Sequence, residues 1–202
     1  MFGIVRHGNT FAAGETPRRI GARTDLPLTD KGREQAQALA AHFAAKGWRF
    51  TRALVSPLLR TRETAQSILD AQQGKVEAEG CAWLREIDHG PDENQSEDAV
   101  LARIGAEALT AWERHAVAPP DWQVDSEMRL EGWRDLFADR DAQGPVLLVT
   151  SNGAARFALM ADPALAAVMD RLDSLKLPTG GYGVIRRGEG AGLVLDSWGL
   201  RP

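Results

Sequence analysis

The chain has 202 residues, 44% of them hydrophobic, enough for one sizeable core and a single domain with or without an insertion. A net charge of −4 with 26% charged residues argues against a general nucleic-acid binder, which would usually be basic. One cysteine, Cys81, excludes an internal disulfide and gives no sign of an oxidising compartment.

Phe2 to Val5 reads as a short buried strand. Residues 8–28 have no clear period and are rich in Gly, Thr and Arg; a loop that long in a compact domain is usually functional or mobile. Thr29 suits the N-cap of a helix with Ala36, Leu39, Ala40 and Phe43 at helical spacing, and Gly47 marks its stop. Arg52 to Ser56 is a second strand. Ser56 then suits an N-cap with Pro57 in the first helical position, and the helix runs through Ile68 and Leu69 to about Gln73. Val76 to Glu79 reads as a third strand, followed by a loop with Trp83, Leu84, Glu86 and Gly90.

Ser96 to Ala116 has a helical period through Val100, Ile104, Leu109 and Trp112, and Ser126 to Ala138 reads as another helix. Pro145 to Val149 is the next strand, with a helix after Gly153 and another from Pro163 to Leu175. "YGVIRR" and "GLVLDSW", separated by a Gly-rich turn, read as a closing hairpin. This alternation predicts an α/β three-layer sandwich: a mainly parallel sheet with helices on both faces. Residues 1–202 form one domain in this reading, and the helices from Ser96 to Ala138 are a small cap inserted over the sheet, around residues 91–140. No apolar run approaches the roughly 20 residues that cross a bilayer, and no signal peptide is visible, so no membrane partner and a cytoplasmic location are expected.

In open α/β sheets ligands bind beyond the carboxyl ends of the strands. Three such ends carry polar residues here: Arg6-His7-Gly8, Ser56 to Arg60, and Ser151-Asn152-Gly153. Two arginines, a histidine and helix N-termini converging on one crevice would cradle a dianionic phosphate. A neutral imidazole can attack phosphorus, so His7 is a candidate nucleophile. Gly8 would let the backbone approach the anion closely.

"VRHGNT", "TDLPLTDKGREQA", "SPLLRTRETA" and "LREIDHG" resemble, in order, the motifs of the histidine phosphatase superfamily, the group containing cofactor-dependent phosphoglycerate mutase; "VLLVTSNGAAR" is a fifth, weaker match. The resemblance implies that His7 becomes a phosphohistidine, that Arg6 and Arg60 hold the phosphoryl oxygens, and that Glu86 is the general acid and base. It implies no metal and no cofactor. The family's later strand normally ends in Ser-His-Gly, whose histidine binds the phosphoryl group. Here Asn152 most naturally takes that place; a register one residue earlier puts Ser151 there and suits Arg156 better. Neither register supplies a histidine, and the chain has four: His7, His42, His89 and His115. His89 is the one that could swing into the site.

The loop after the first motif, with Asn9, Thr10, Arg19 and Arg23, would read the rest of the substrate; Arg18, Arg19 and Arg23 could meet a second anionic group or form a solvated face. The expected activity is hydrolysis of a small-molecule phosphomonoester through His7. The alternatives are a pseudophosphatase that binds a phosphorylated ligand and, less favoured, a mutase, since the asparagine that mutases use falls at Ala13. The expected partner is a small phosphorylated substrate, with no nucleic acid; the sequence is silent on oligomeric state.

Overall fold

A computed structural model describes residues 1–72, 74–139, 144–188 and 192–202. Six strands build one sheet: β1 (Phe2–Arg6), β2 (Arg52–Val55), β3 (Ala78–Gly80), β4 (Val146–Thr150), β5 (Tyr182–Arg187) and β6 (Leu193–Leu200). Their order is β3-β2-β4-β1-β5-β6. β1 to β4 run parallel to one another, β5 pairs antiparallel with β1, and β6 antiparallel with β5. The helices are α1 (Asp30–Ala45), α2 (Leu59–Asp70), α3 (Glu97–His115), α4 (Ser126–Ala138), α5 (Asn152–Ala155), α6 (Phe157–Met160) and α7 (Pro163–Met169). The fold class is therefore the expected α/β one, with a mostly parallel sheet.

Strand side chains alternate between faces, so each central strand feeds two cores. Phe2, Ile4, Leu54, Val146 and Leu148 pack on one face with Trp112 of α3, Trp133 and Leu136 of α4, and Phe157 of α6. Val5, Ala53, Val55, Leu147 and Val149 pack on the other with Leu39 and Phe43 of α1 and Ile68 of α2. Burial on both faces explains why these strands read as apolar runs rather than alternating ones. Parallel β1, β2 and β4 all end at one edge, and the His7 N–H donates to the Thr150 carbonyl there (3.1 Å).

Several local expectations are corrected. The second helix starts at Leu59, with Leu58 as N-cap, not at Pro57. The Asp25 carboxylate accepts from the Leu59 N–H (2.7 Å), so a distant loop supplies the cap that Ser56 was expected to give. That helix ends at Asp70; Gln73 lies outside the described residues. The third strand spans Ala78–Gly80 rather than Val76–Glu79, and the last helix stops at Met169. Gly105, at φ +80°, breaks α3 into two segments, a backbone region glycine enters at little cost. The turn of the final hairpin falls on residues 189–191, outside the described residues.

The cap reading also needs revision for α4. Its Phe137 ring meets Phe2 of β1 at 5.1 Å and its Trp133 is wholly buried in the sheet-facing core, so α4 is a layer of the sandwich rather than a lid over it. The apolar stripe of Trp133, Leu136 and Phe137 had only the sheet to bury against.

Trp133 tests this layer. Its Nε1 has no hydrogen-bond partner, so its contribution is packing against Trp83 and Phe137. Trp133→Ala is expected to cost about 3–5 kcal/mol in urea unfolding. Trp133→Phe, which loses no hydrogen bond, should cost less than half of that.

Candidate active site

The end of β1 carries Arg6 and His7 to the strand-end edge. His7 is buried, and its ring is held in one tautomer by its neighbours. Nδ1 lies 2.7 Å from the Gly8 carbonyl, which can only accept, so Nδ1 carries the proton. Nε2 lies 3.2 Å from Arg60 Nε, which can only donate, so Nε2 presents its lone pair. Burial first, then the charges of Arg60 and Arg6, hold the His7 pKa well below the usual imidazole value, against the opposing Gly8 hydrogen bond. The ring is the free base at neutral pH.

Arg60 stands at the Nε2 edge of that ring. It is fully buried on the first turn of α2, and its terminal nitrogens donate to the carbonyls of Thr24 (2.8 Å) and Gly21 (3.2 Å). Two backbone carbonyls of the long loop thus take part of its donor fork. Arg6 is on the wall. One terminal nitrogen donates to the Leu177 carbonyl (2.8 Å), and its buried Nε has no partner. Burial, then Arg60 and Arg201 against the attraction of Glu86, lower its pKa to about 10.

Glu86 is placed by a buried arginine from the sandwich layer. Arg129 of α4 donates to the carbonyls of Val124, Trp83 and Arg85, which clamps the loop just ahead of Glu86. The carboxylate accepts from the N–H groups of Ile87 (2.9 Å) and Gly153 (3.1 Å). Burial raises its pKa, but His89, these two N–H groups and Arg60 together outweigh burial and hold it below the ordinary value. Gly153 has no room for a side chain: a Cβ there would come within 2.3 Å of Glu86 Oε1.

The turn after β4 resolves the open register. Asn152 is on the cleft wall, whereas Ser151 is buried away from it with an unpartnered hydroxyl. The Asn152 Oδ1 accepts from the Leu177 N–H (3.0 Å), which commits its oxygen and leaves the NH₂ as the available donor. Four residues on, Arg156 also reaches the wall. It stacks on Trp112 at 4.3 Å and donates to the Trp112 carbonyl (2.5 Å), and its buried Nε has no partner. Burial, then repulsion by Arg19 and Arg6 against Glu86 and Glu113, lowers its pKa to about 10. Arg156 was missed as a site residue, although it is the one charged residue between Asn152 and Ala161.

These side chains face a cleft of about 560 Å³. The long loop supplies Asn9, Thr10 and Arg19 to its wall. The Asn9 amide is used within the loop, donating to the Phe11 carbonyl and to Thr29. Arg19 pairs with Glu97 and lies over the Trp122 ring at 5.0 Å. Two expectations fail. Arg23 is off the cleft, bound to Asp88 (3.0 Å) and the Gly90 carbonyl. Gly8 is likewise absent from the wall: it is small because a Cβ would come within 2.3 Å of the Gly32 carbonyl oxygen at the start of α1, not because an anion approaches it. Among the described residues no group of three or more His, Cys, Asp or Glu side chains is arranged to hold a metal, and no helix is long and apolar enough to cross a membrane.

A family model described as the histidine phosphatase superfamily (branch 1) matches residues 2–199. A 2,3-bisphosphoglycerate-dependent phosphoglycerate mutase of Sinorhizobium fredii is 30% identical over 187 residues, 88% of this chain and 85% of that protein. The fold is similar to that of a mycobacterial glucosyl-3-phosphoglycerate phosphatase, with TM-score 0.76 and 20% identity over 100% of this chain and 99% of that one. It is also similar to a putative alpha-ribazole-5'-P phosphatase from Escherichia coli, with TM-score 0.71 and 24% identity over 98% and 95% of the two chains.

Glu93, one turn beyond His89, ties the long loop to this site. It accepts from the N–H groups of Gly21 and Arg23 and from the Thr24 hydroxyl. Burial opposes its ionisation, but the His89 ring, the Thr24 hydroxyl and the N–H groups of Gly21 and His89 prevail and lower its pKa from 4.5 to about 2. A depressed folded-state pKa stabilises the fold above the unfolded value and is lost as pH falls through the folded one. Urea unfolding should therefore show Glu93→Gln well below wild type at pH 7, with the gap closing as pH falls from about 4.5 to 2.

Proposed function

The chain belongs to the histidine phosphatase superfamily, and we propose that it hydrolyses the phosphomonoester of a small molecule through a phosphohistidine on His7. One observation carries this reading: the buried His7 ring is a free base with its lone pair on Nε2, in a cleft whose cationic side chains outnumber its carboxylates. Arg6, Arg18, Arg19, Arg156, Arg201 and Lys176 line it against Glu86, Glu97 and Glu113, and the buried Arg60 adds its charge at the His7 ring. A phosphoryl dianion supplies the missing negative charge.

The His7 Nε2 lone pair, released from the Arg60 N–H, attacks phosphorus and the ester P–O bond breaks. Glu86 gives its proton to the departing alkoxide oxygen. Water then attacks phosphorus as Glu86 takes its proton, the N–P bond breaks, and inorganic phosphate leaves with His7 neutral again. Glu86 must begin protonated, although its pKa in the ligand-free protein is depressed. The dianion brings the proton back, because negative charge beside a carboxylate raises its pKa. The Asn152 amide donates to an equatorial oxygen but adds no charge.

A mutase is less well supported, although the Sinorhizobium relative carries that name. The loop position expected to hold an asparagine is Ala13, exposed and off the cleft wall. Asn152 favours a second reading, a protein that binds phosphorylated ligands without turnover.

The assay uses para-nitrophenyl phosphate. Wild type should turn it over, and His7→Ala should lower the rate by about 10³-fold or more. Equal rates would discard the phosphohistidine. Anion binding without turnover would favour the binding module. Because the His7 pKa is depressed, kcat/KM should show no loss from His7 protonation as pH falls from 8 to 6.5.

A further inference from the structure

The reading above leaves one buried imidazole on the cleft wall without a task. His89 lies on the loop three residues after Glu86 and is 5% exposed. Its ring packs edge-on against Trp122 at 4.4 Å, and Trp122 is itself fixed by a 2.7 Å hydrogen bond from Nε1 to Asp92. His89 Nδ1 has no hydrogen-bond partner; the nearest acid is Glu93 Oε2 at 3.6 Å. Buried polar side-chain atoms are normally paired, and a ring that only packed against an indole would serve as well as phenylalanine.

The charges around this ring are arranged for a cation. Glu93 cannot move away, since the backbone of Gly21 and Arg23 and the Thr24 hydroxyl hold it. Asp92 is occupied by Arg103 and Trp122. The opposing charges are Arg19, over the same indole and itself paired with Glu97, and Arg6 and Arg156 on the wall of the same cleft. Meanwhile the turn after β4 presents only the neutral Asn152 amide.

We infer that His89 is the second imidazole of the phosphoryl site, held by Glu93 and binding the phosphoryl oxygens as an imidazolium in the role that Asn152 cannot fill. Protonated, Nδ1 donates toward Glu93 and Nε2 is left as the charged donor for the cleft. The inference rests on the cleft being a phosphoryl site, and it is tested by binding rather than turnover.

Sulfate is the probe because it stays a dianion from pH 5.5 to 8, so any pH dependence belongs to the protein. Calorimetric titration of wild type should show affinity falling as pH rises over that range. His89→Phe should weaken binding at pH 6 about tenfold or more, the loss of a charged donor, and flatten the pH dependence. His89→Gln, which keeps a neutral donor, should lie between and serves if the phenylalanine variant does not fold. Asn152→His added to His89→Phe should restore affinity and pH dependence, because the charge returns to the same cleft. Wild-type affinity and pH profile in both His89 variants would overturn the inference and leave the His7 reading intact. Absence of sulfate binding by wild type would overturn it as well, and the His7→Ala assay would then decide whether the phosphatase reading stands alone.

Discussion

The site depends on burying guanidinium groups without matching carboxylates. Arg6, Arg60 and Arg156 are all taken out of water near the end of β1, and Glu86 is the carboxylate they share. Burial and mutual repulsion lower the pKa of Arg6 and of Arg156 to about 10, a sign of surplus positive potential. The fold tolerates the surplus because backbone carbonyls take many of the N–H groups. Leu177 serves Arg6, Thr24 and Gly21 serve Arg60, and Trp112 serves Arg156. Carbonyl dipoles satisfy hydrogen bonds without cancelling charge, so the cleft keeps its positive potential. Burial and the same charges keep His7 neutral.

Close backbone contacts hold these groups in register. Gly8 and Gly32 meet with no space for a Cβ on either, which seats the end of β1 on the start of α1. Gly153 lets Glu86 lie against the turn after β4. Thr64 links the two halves, accepting from the Gly8 N–H and donating to the Arg60 carbonyl. The residues that touch the cleft are thus positioned by contacts that touch no ligand. Glycine in these motifs is a packing requirement first.

Much of this was legible in the sequence. Local patterning placed the central strands, because each is an apolar run buried on both faces. It placed α1 and α4 closely, since Thr29 caps its own helix and α4 carries a full apolar stripe. It was weaker where a partner far along the chain decides the outcome. Asp25 accepts from the first N–H of α2 while Ser56 reaches only that of Leu58 before it, and Gly105 turns one periodic segment into two.

The sequence alone determined the chemistry present near the strand ends: a histidine beside an arginine, a second arginine on the following helix, a carboxylate in the next loop, and an asparagine where a histidine is usual. Those are properties of neighbouring residues and their order. Only the tertiary structure decided which groups reach the cleft. It put Arg60 at the Nε2 edge of the His7 ring, sent Arg23 away to Asp88, and brought Arg156 and His89 in. Each outcome depends on contacts between segments tens of residues apart, and a side chain's direction at such a contact is set by what packs on its other side, which no local pattern encodes.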